Sequence, residues 1–142
     1  MSEESLWGWL KTYLPAGQYS RIESPDTSPG IPDVFYQARL PTRDATGFLE
    51  LKFSRTPEAR IPFKNREDGL HLSQEIWLRE NWQAGGHSMI VAQVGKQVLF
   101  IGPHHAPEFN GSTLNRLTKI SSLILPKTKM TGKDVRDLWR IL

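Results

Sequence analysis

The sequence predicts an α/β protein with one mixed β-sheet flanked by helices. Three observations lead to this fold class. Apolar residues recur at helical spacing in some segments, alternate with polar residues in others, and the two kinds of segment are interleaved along the chain. The predicted order is a helix, three strands, a helix and two strands, followed by further helices, which suits a sheet with helices packed on it.

The length of 142 residues fits one domain. We assign its core to residues 1–110 and a basic helical extension of the same domain to residues 111–142.

The first predicted element is a helix over residues 2–14. Ser2 can cap it, and the apolar residues Leu6, Trp7, Leu10 and Leu14 share one face.

Three predicted strands follow, over residues 18–24, 33–38 and 47–53. A polar turn separates the second strand from the third, which predicts an antiparallel hairpin.

A charged segment with two prolines, residues 54–70, is predicted to be a long loop. The next helix is predicted over residues 73–84, with Ser73 as its cap. One stripe of this helix is expected to face inward, and it contains Gln74, Trp77, Leu78 and Trp82.

The remaining predicted elements are two strands joined by a tight turn, over residues 88–94 and 97–101, and two helices, over residues 113–124 and 131–142.

The charge is unevenly distributed. Residues 1–110 carry 11 Lys and Arg against 13 Asp and Glu, whereas residues 111–142 carry 7 Lys and Arg against 2 Asp and Glu. A basic region of this kind can follow a phosphate backbone, although two solvated helices would give the same pattern.

The composition excludes several classes of site. The chain has no Cys, so disulfides, Cys-based zinc sites and thiol nucleophiles are excluded. No apolar run approaches about 18 residues, and the first residues lack a signal-peptide pattern. We therefore expect a cytoplasmic protein without a membrane partner.

Charged residues in the predicted hairpin are the strongest functional signal. Glu50 and Lys52 share one face of the third strand, and Asp33 opens the neighbouring strand behind Pro32. A hairpin can bring Asp33 close to Glu50, and two converging carboxylates repel each other unless a cation lies between them.

Oxygen ligands without His or Cys suit Mg²⁺, with Mn²⁺ as a substitute. A lysine beside such a site can orient an attacking water and stabilise charge on a phosphate. The combination is suited to metal-dependent hydrolysis of a phosphodiester.

The ordered set Gly30-Ile31-Pro32-Asp33, Glu50-Leu51-Lys52 and Leu72-Ser73-Gln74 resembles the PD-(D/E)XK nuclease superfamily. The chain is most similar to the virus-type replication-repair nucleases (VRR-NUC) and the archaeal-type Holliday-junction resolvases. The resemblance spans roughly residues 3–101 and implies a restriction-endonuclease-like αβββαβ core.

The resemblance also implies roles for individual residues. Asp33 and Glu50 would ligate the metal together with the Leu51 carbonyl, and Lys52 would be the catalytic lysine, with Gln74 pointing toward the site. A glutamate of the first helix would be a further ligand, and we prefer Glu3 to Glu4 because it lies on the apolar stripe. Two simpler interpretations stay open: a helix N-terminus favours acidic residues in any case, and Gln74 could hydrogen-bond locally.

Ser24 matches a serine near the site in the resolvases, although a turn residue would fit equally. The 54–70 loop is longer than in the small relatives. Its basic residues could contact phosphates, and they are Arg55, Arg60, Lys64 and Arg66.

The predicted function is therefore a Mg²⁺-dependent DNA endonuclease, and the expected substrates are Holliday junctions or other branched DNA in replication, recombination or repair. Small nucleases of this type commonly act as homodimers. A phage origin, which the resemblance suggests, would place the protein in the host cytoplasm. The alternative is a catalytically inactive nuclease-fold protein with a DNA-binding or regulatory role. An RNase or an inhibitor of host defence also stays open.

Overall fold

The computed structural model describes residues 2–22 and 30–142. Its centre is an open sheet of six strands in the order β1-β2-β3-β4-β5-β6. The strands are β1 (Gly17–Arg21), β2 (Val34–Arg39), β3 (Asp44–Phe53), β4 (Ser88–Val94), β5 (Gln97–Ile101) and β6 (Ser121–Pro126).

Neighbouring strands are antiparallel except for β3 and β4, which are parallel. Parallel neighbours need a crossover connection, and residues 54–87 supply it through the long loop and a helix. The sheet is therefore mixed, as the sequence predicts.

The helices are α1 (Glu3–Tyr13), α2 (Leu72–Gln83), α3 (Ala106–Phe109), α4 (Leu114–Ile120) and α5 (Gly132–Ile141), with a 3₁₀ turn over Pro103–His105. Apolar side chains from α1 and α5 pack in one hydrophobic cluster with one face of the sheet. Those of α2, α3 and α4 pack in a second cluster with the other face. The helices thus cover both faces, which explains why β4 is buried along its whole length.

The predicted helix over residues 113–124 is wrong in its second half. The helix ends at Ile120, and residues 121–126 form β6, which pairs with β5. Leu117, Ile120 and Ile124 have helical spacing, yet the helix does not continue past Ile120. The exposed edge of β5 offers backbone hydrogen bonds that outweigh the local pattern. The 111–142 region is therefore part helix and part sheet.

Two details of α2 also differ from the prediction. The cap is His71 rather than Ser73, so the helix begins one residue earlier. Trp82 does not face inward, because half of its surface is exposed. Eight residues after Gln74, it lies about 80° round the helix from that side chain.

The C-terminal helix is fastened to the sheet by hydrogen bonds to its last carbonyls. The guanidinium of Arg43 donates to the carbonyl oxygens of Trp139, Arg140 and Leu142. Nε2 of His87 hydrogen-bonds the Ile141 carbonyl at 3.0 Å. These partners satisfy carbonyls that a helix end leaves unpaired.

None of the helices described is both long and apolar enough to span a membrane.

Candidate active site

The segment before β2 is packed against the start of α2. Gly30 adopts a positive φ of 90°, and a Cβ added there would lie 2.2 Å from the carbonyl oxygen of Ser73. Only glycine permits this approach of two backbones. The contact holds the chain, three residues before Asp33, against the first turn of α2.

Asp33 is held against the middle of β3. Its Oδ2 accepts a hydrogen bond from the backbone N–H of Leu51 at 2.8 Å. Val34 pairs with Leu49 in the antiparallel register, so Asp33 lies next to Glu50 across the two strands. The hairpin therefore brings the two carboxylates together.

Glu50 is buried, with 1% of its surface exposed. Oε1 accepts from Nε2 of Gln74 at 3.2 Å, whereas Oε2 has no hydrogen-bond donor among the described residues when both carboxyls are ionised. Burial is the largest cause that raises the pKa of Glu50 well above 4.5, followed by the charge of Asp33 and a hydrogen bond shared with that side chain. Because two ionised carboxylates only accept hydrogen bonds, a shared proton or a cation must join them.

Lys52 lies on the same face of β3 and is also buried. Its Nζ donates to Oε1 of Gln74 at 3.1 Å and lies 3.8 Å from Oε1 of Glu50. The ammonium of Lys52 is thus held by an amide oxygen and stays beside the carboxylate pair.

Gln74 connects these groups to α2. Its Oε1 accepts from the backbone N–H of His71 as well as from Lys52, and its Nε2 donates to Glu50. The local capping interaction and the inward-pointing interaction were alternatives at the sequence level, and Gln74 makes both. Its side chain is therefore fixed by three hydrogen bonds.

Glu3 and Glu4 have different surroundings. Glu4 forms an ion pair with Arg21 at 3.1 Å, and most of its side chain is exposed. Glu3 is also exposed, but partial desolvation by the surrounding protein raises its pKa, as does the charge of Asp33, while Lys52 and Arg21 oppose the rise. Glu3 is thus the glutamate of α1 that responds to the charges of the site.

The donor set suits Mg²⁺ in type. Within residues 2–22 and 30–142, no group of three or more His, Cys, Asp or Glu side chains could hold a metal ion. Mg²⁺ commonly uses one or two carboxylates and keeps several waters, so Asp33 and Glu50 are sufficient in number. The buried Oε2 of Glu50 lacks a partner when both carboxyls are ionised, and a cation would satisfy it in place of a shared proton. The Leu51 carbonyl could supply a further oxygen, whereas Glu3 does not form a three-carboxylate group with Asp33 and Glu50 among the described residues.

A cleft of about 880 Å³ lies beside the site. Its lining includes Glu3 and Lys52, and it also includes the first residues of α1 and parts of the 54–70 loop. Asp33 and Glu50 are not part of this lining, so the buried network meets the cleft at Lys52 and at His71, whose backbone N–H binds Gln74.

The 54–70 loop forms a fixed wall of the cleft. Phe63 is fully buried, and its ring packs against that of Phe109 with centroids 4.7 Å apart. The side chain of Asn110 accepts from the backbone N–H of Leu70 and donates to its carbonyl oxygen, both at 2.8 Å. Buried contacts at both positions hold the loop, as expected for a segment that shapes a site.

The basic residues of this loop separate into two groups. Arg55 and Lys64 line the cleft, together with the acidic Glu67 and Asp68. Arg60 and Arg66 do not line it. The guanidinium of Arg66 instead forms an ion pair with Glu75 at 2.9 Å.

One predicted site residue, Ser24, lies outside the residues that the structure describes. The prediction named Gly30 only as part of the Gly30-Ile31-Pro32-Asp33 motif, and it missed two positioning residues, Phe63 and Asn110. Asn110 lies 40 residues from Leu70, and no local pattern connects them. An Asn-Gly pair such as Asn110-Gly111 indicates a turn, which was the only available signal.

Comparisons of the chain with protein-family models, with curated proteins and with solved structures found no match.

Proposed function

We propose that this chain is a Mg²⁺-dependent nuclease that hydrolyses DNA phosphodiesters, with a restriction-endonuclease-like core of the PD-(D/E)XK type. One observation carries the proposal. The buried Glu50, whose Oε2 lacks a partner when both carboxyls are ionised, and the half-buried Asp33 lie beside the buried Lys52, and Gln74 binds both Glu50 and Lys52. A structural ion pair would not need two adjacent carboxylates, whose mutual repulsion costs stability.

Each residue has a distinct part in this proposal. Asp33 and Glu50 would hold the cation, and Glu3 would add negative charge from α1. Lys52 would donate hydrogen bonds to the attacking water and to the phosphate, since its ammonium carries three donors. Gln74 would position Lys52 and Glu50 relative to each other without touching the substrate.

When bound, Mg²⁺ would supply Lewis-acid stabilisation of the charge that develops on the phosphate. The chain's own contribution is a preorganised arrangement. Lys52 is held by Gln74 before substrate arrives, so little reorganisation remains at the moment of reaction.

The charged residues that line the cleft support a phosphate-containing substrate that enters a walled site. Arg55 and Lys64 can contact phosphates on either side of the cut, and Glu67 and Asp68 limit the net attraction. The basic C-terminal residues would flank the DNA, although Lys133 and Arg140 lie within ion-pairing distance of Asp137. A site walled in this way favours branched or otherwise accessible DNA, which is the substrate class proposed here.

The test is a cleavage assay with labelled four-way junction, flap, linear duplex and single strand, in Mg²⁺, Mn²⁺ or EDTA. A matched RNA strand distinguishes deoxyribonuclease from ribonuclease. Wild type should cut at least one DNA in a metal-dependent way. Lys52→Ala, Asp33→Asn and Glu50→Gln should each lower the rate at least about 100-fold.

Lys96→Ala is the matched control, because Lys96 is exposed in the β4–β5 turn. It should cut like wild type. Circular dichroism must show that the three site variants are folded. Metal-dependent cutting that survives in all three would refute the proposal, and binding without cutting would favour the inactive DNA-binding alternative. Sedimentation of the wild type tests the proposed homodimer, which a strictly monomeric protein would contradict.

A further inference from the structure

A second cavity, of about 310 Å³, lies at the opposite end of α2 from Gln74. Its lining contains aromatic and small residues, and these include Trp82, Gly86, Ser88, Gly102, His104 and Ile141. Its volume lies at the lower end of the range for small-molecule sites. None of the residues assigned to the active site belongs to it.

Trp82 forms the aromatic wall of this cavity. Half of its surface is exposed, and only Leu72 among the described large apolar residues is comparably exposed. The imidazole of His104 stacks on the indole, with ring centroids 5.4 Å apart and an interplanar angle of 27°. One face of the indole is thus supported while much of the side chain stays accessible.

The position of His104 is built into the backbone. A Cβ added at Gly102 would lie 2.6 Å from Cε1 of His104, so the imidazole lies directly over the glycine. The ring of His105 lies 4.1 Å from that of His104 and extends the aromatic surface. The platform is therefore preorganised, which lowers the entropy cost of binding a planar group.

Ser88 adds a polar group to the cavity lining. The residue is buried, with 2% of its surface exposed, and its hydroxyl has no hydrogen-bond partner among the described residues. A hydroxyl can both donate and accept, so it can serve the polar edge of a ring that enters the cavity. A flat aromatic ring with polar edge atoms matches both the platform and the hydroxyl.

We infer that this cavity binds an unpaired nucleobase of the nucleic acid that the active site cuts. The inference rests on the proposed function. Within a duplex, the faces of a base are covered by its neighbours, so only an unstacked base can lie on Trp82. Trp82 follows Gln74 by eight residues, which places it about 12 Å further along α2. A strand running along this helix would reach both sites within a few nucleotides.

The test compares the binding of two labelled DNAs by fluorescence anisotropy in EDTA, where no cutting occurs. One is a duplex with a short single-stranded gap, and the other carries abasic residues throughout the same gap. Trp82→Ala should weaken binding of the first DNA at least about fivefold and leave binding of the second unchanged. Trp82→Phe should retain most of the affinity. Leu72→Ala is the matched control, since Leu72 is equally exposed on the same helix.

Equal affinities of wild type and Trp82→Ala for the gapped DNA would overturn the inference, as would an equal loss on the abasic DNA. An absence of all binding would also overturn it. Metal-dependent cutting without any effect of Trp82 would remove this inference and leave the nuclease proposal intact. Trp82-dependent binding without metal-dependent cutting would support a nucleobase site at Trp82 and refute the nuclease proposal.

Discussion

If a cation binds between Asp33 and Glu50 as proposed, the raised pKa of Glu50 predicts that metal binding depends on pH. The raised pKa of Glu50 means that the metal-free folded protein retains a proton that the unfolded chain releases above about pH 4.5. The stability from this proton is fully present below pH 4.5 and is lost as pH rises through the raised pKa. A divalent cation between the carboxylates must displace the same proton.

The magnitude follows from the number of protons. One displaced proton changes the free energy of metal binding by about 1.4 kcal/mol per pH unit, which is about tenfold in apparent Kd. We therefore expect Mg²⁺ affinity to rise about tenfold per pH unit in the range where folded Glu50 keeps its proton, and to level off as pH passes the raised pKa of Glu50. Mg²⁺ should accordingly raise Tm more at pH 8 than at pH 5.5.

Isothermal titration calorimetry of wild type with Mg²⁺, in two buffers of different ionisation enthalpy, measures the protons released. About one proton per metal is expected within that pH range. Glu50→Gln removes both the carboxylate and its proton, so it should bind Mg²⁺ weakly and with little pH dependence. It should also be more stable than metal-free wild type at high pH, because the buried charge is gone. A pH-independent affinity with no proton release, or tight binding by Glu50→Gln, would refute the reasoning.

Two further predictions concern stability and are tested by urea unfolding. Asn110→Ala removes both hydrogen bonds to the buried Leu70 and should lower the free energy of unfolding by about 2–4 kcal/mol. The control Asn115→Ala, at an exposed position, should change it little. A loss below about 0.5 kcal/mol in Asn110→Ala would show that other contacts hold the 54–70 loop. Tyr36→Phe removes a buried hydroxyl that has no hydrogen-bond partner among the described residues, so it should not destabilise the protein and should add up to about 1 kcal/mol. Tyr19→Phe should instead lose about 1 kcal/mol, because its hydroxyl donates to the Pro15 carbonyl, and losses of equal size in both variants would contradict this account.

Local patterns in the sequence were sufficient for most of the elements. The helix at residues 2–14, the hairpin of β2 and β3 and the tight turn before β5 follow from apolar periodicity and turn residues, and the structure confirms them to within a few residues. The candidate residues Asp33, Glu50 and Lys52 were likewise visible, since alternation on a strand and the hairpin register depend only on nearby residues.

Other features depended on distant partners. Residues 121–124 carry a helical pattern, yet they form β6 because the edge of β5 is available to them. The anchoring of the 54–70 loop requires Phe109 and Asn110, which no spacing rule relates to it. Trp82 was assigned to the core from its place on a helix, whereas the extent of the neighbouring sheet decides whether such a residue is covered.

The chemistry of the site was likewise predicted in part from the sequence and determined in part by the tertiary structure. Residue types and order along the chain were enough to nominate two carboxylates and a lysine, because those properties are local. Only the tertiary structure determined that Glu50 is buried with one unpaired oxygen and that Gln74 binds both Glu50 and Lys52. Burial and long-range hydrogen bonds arise from the packing of α2 on the sheet, and the pKa of Glu50 follows from that packing rather than from its neighbours in sequence.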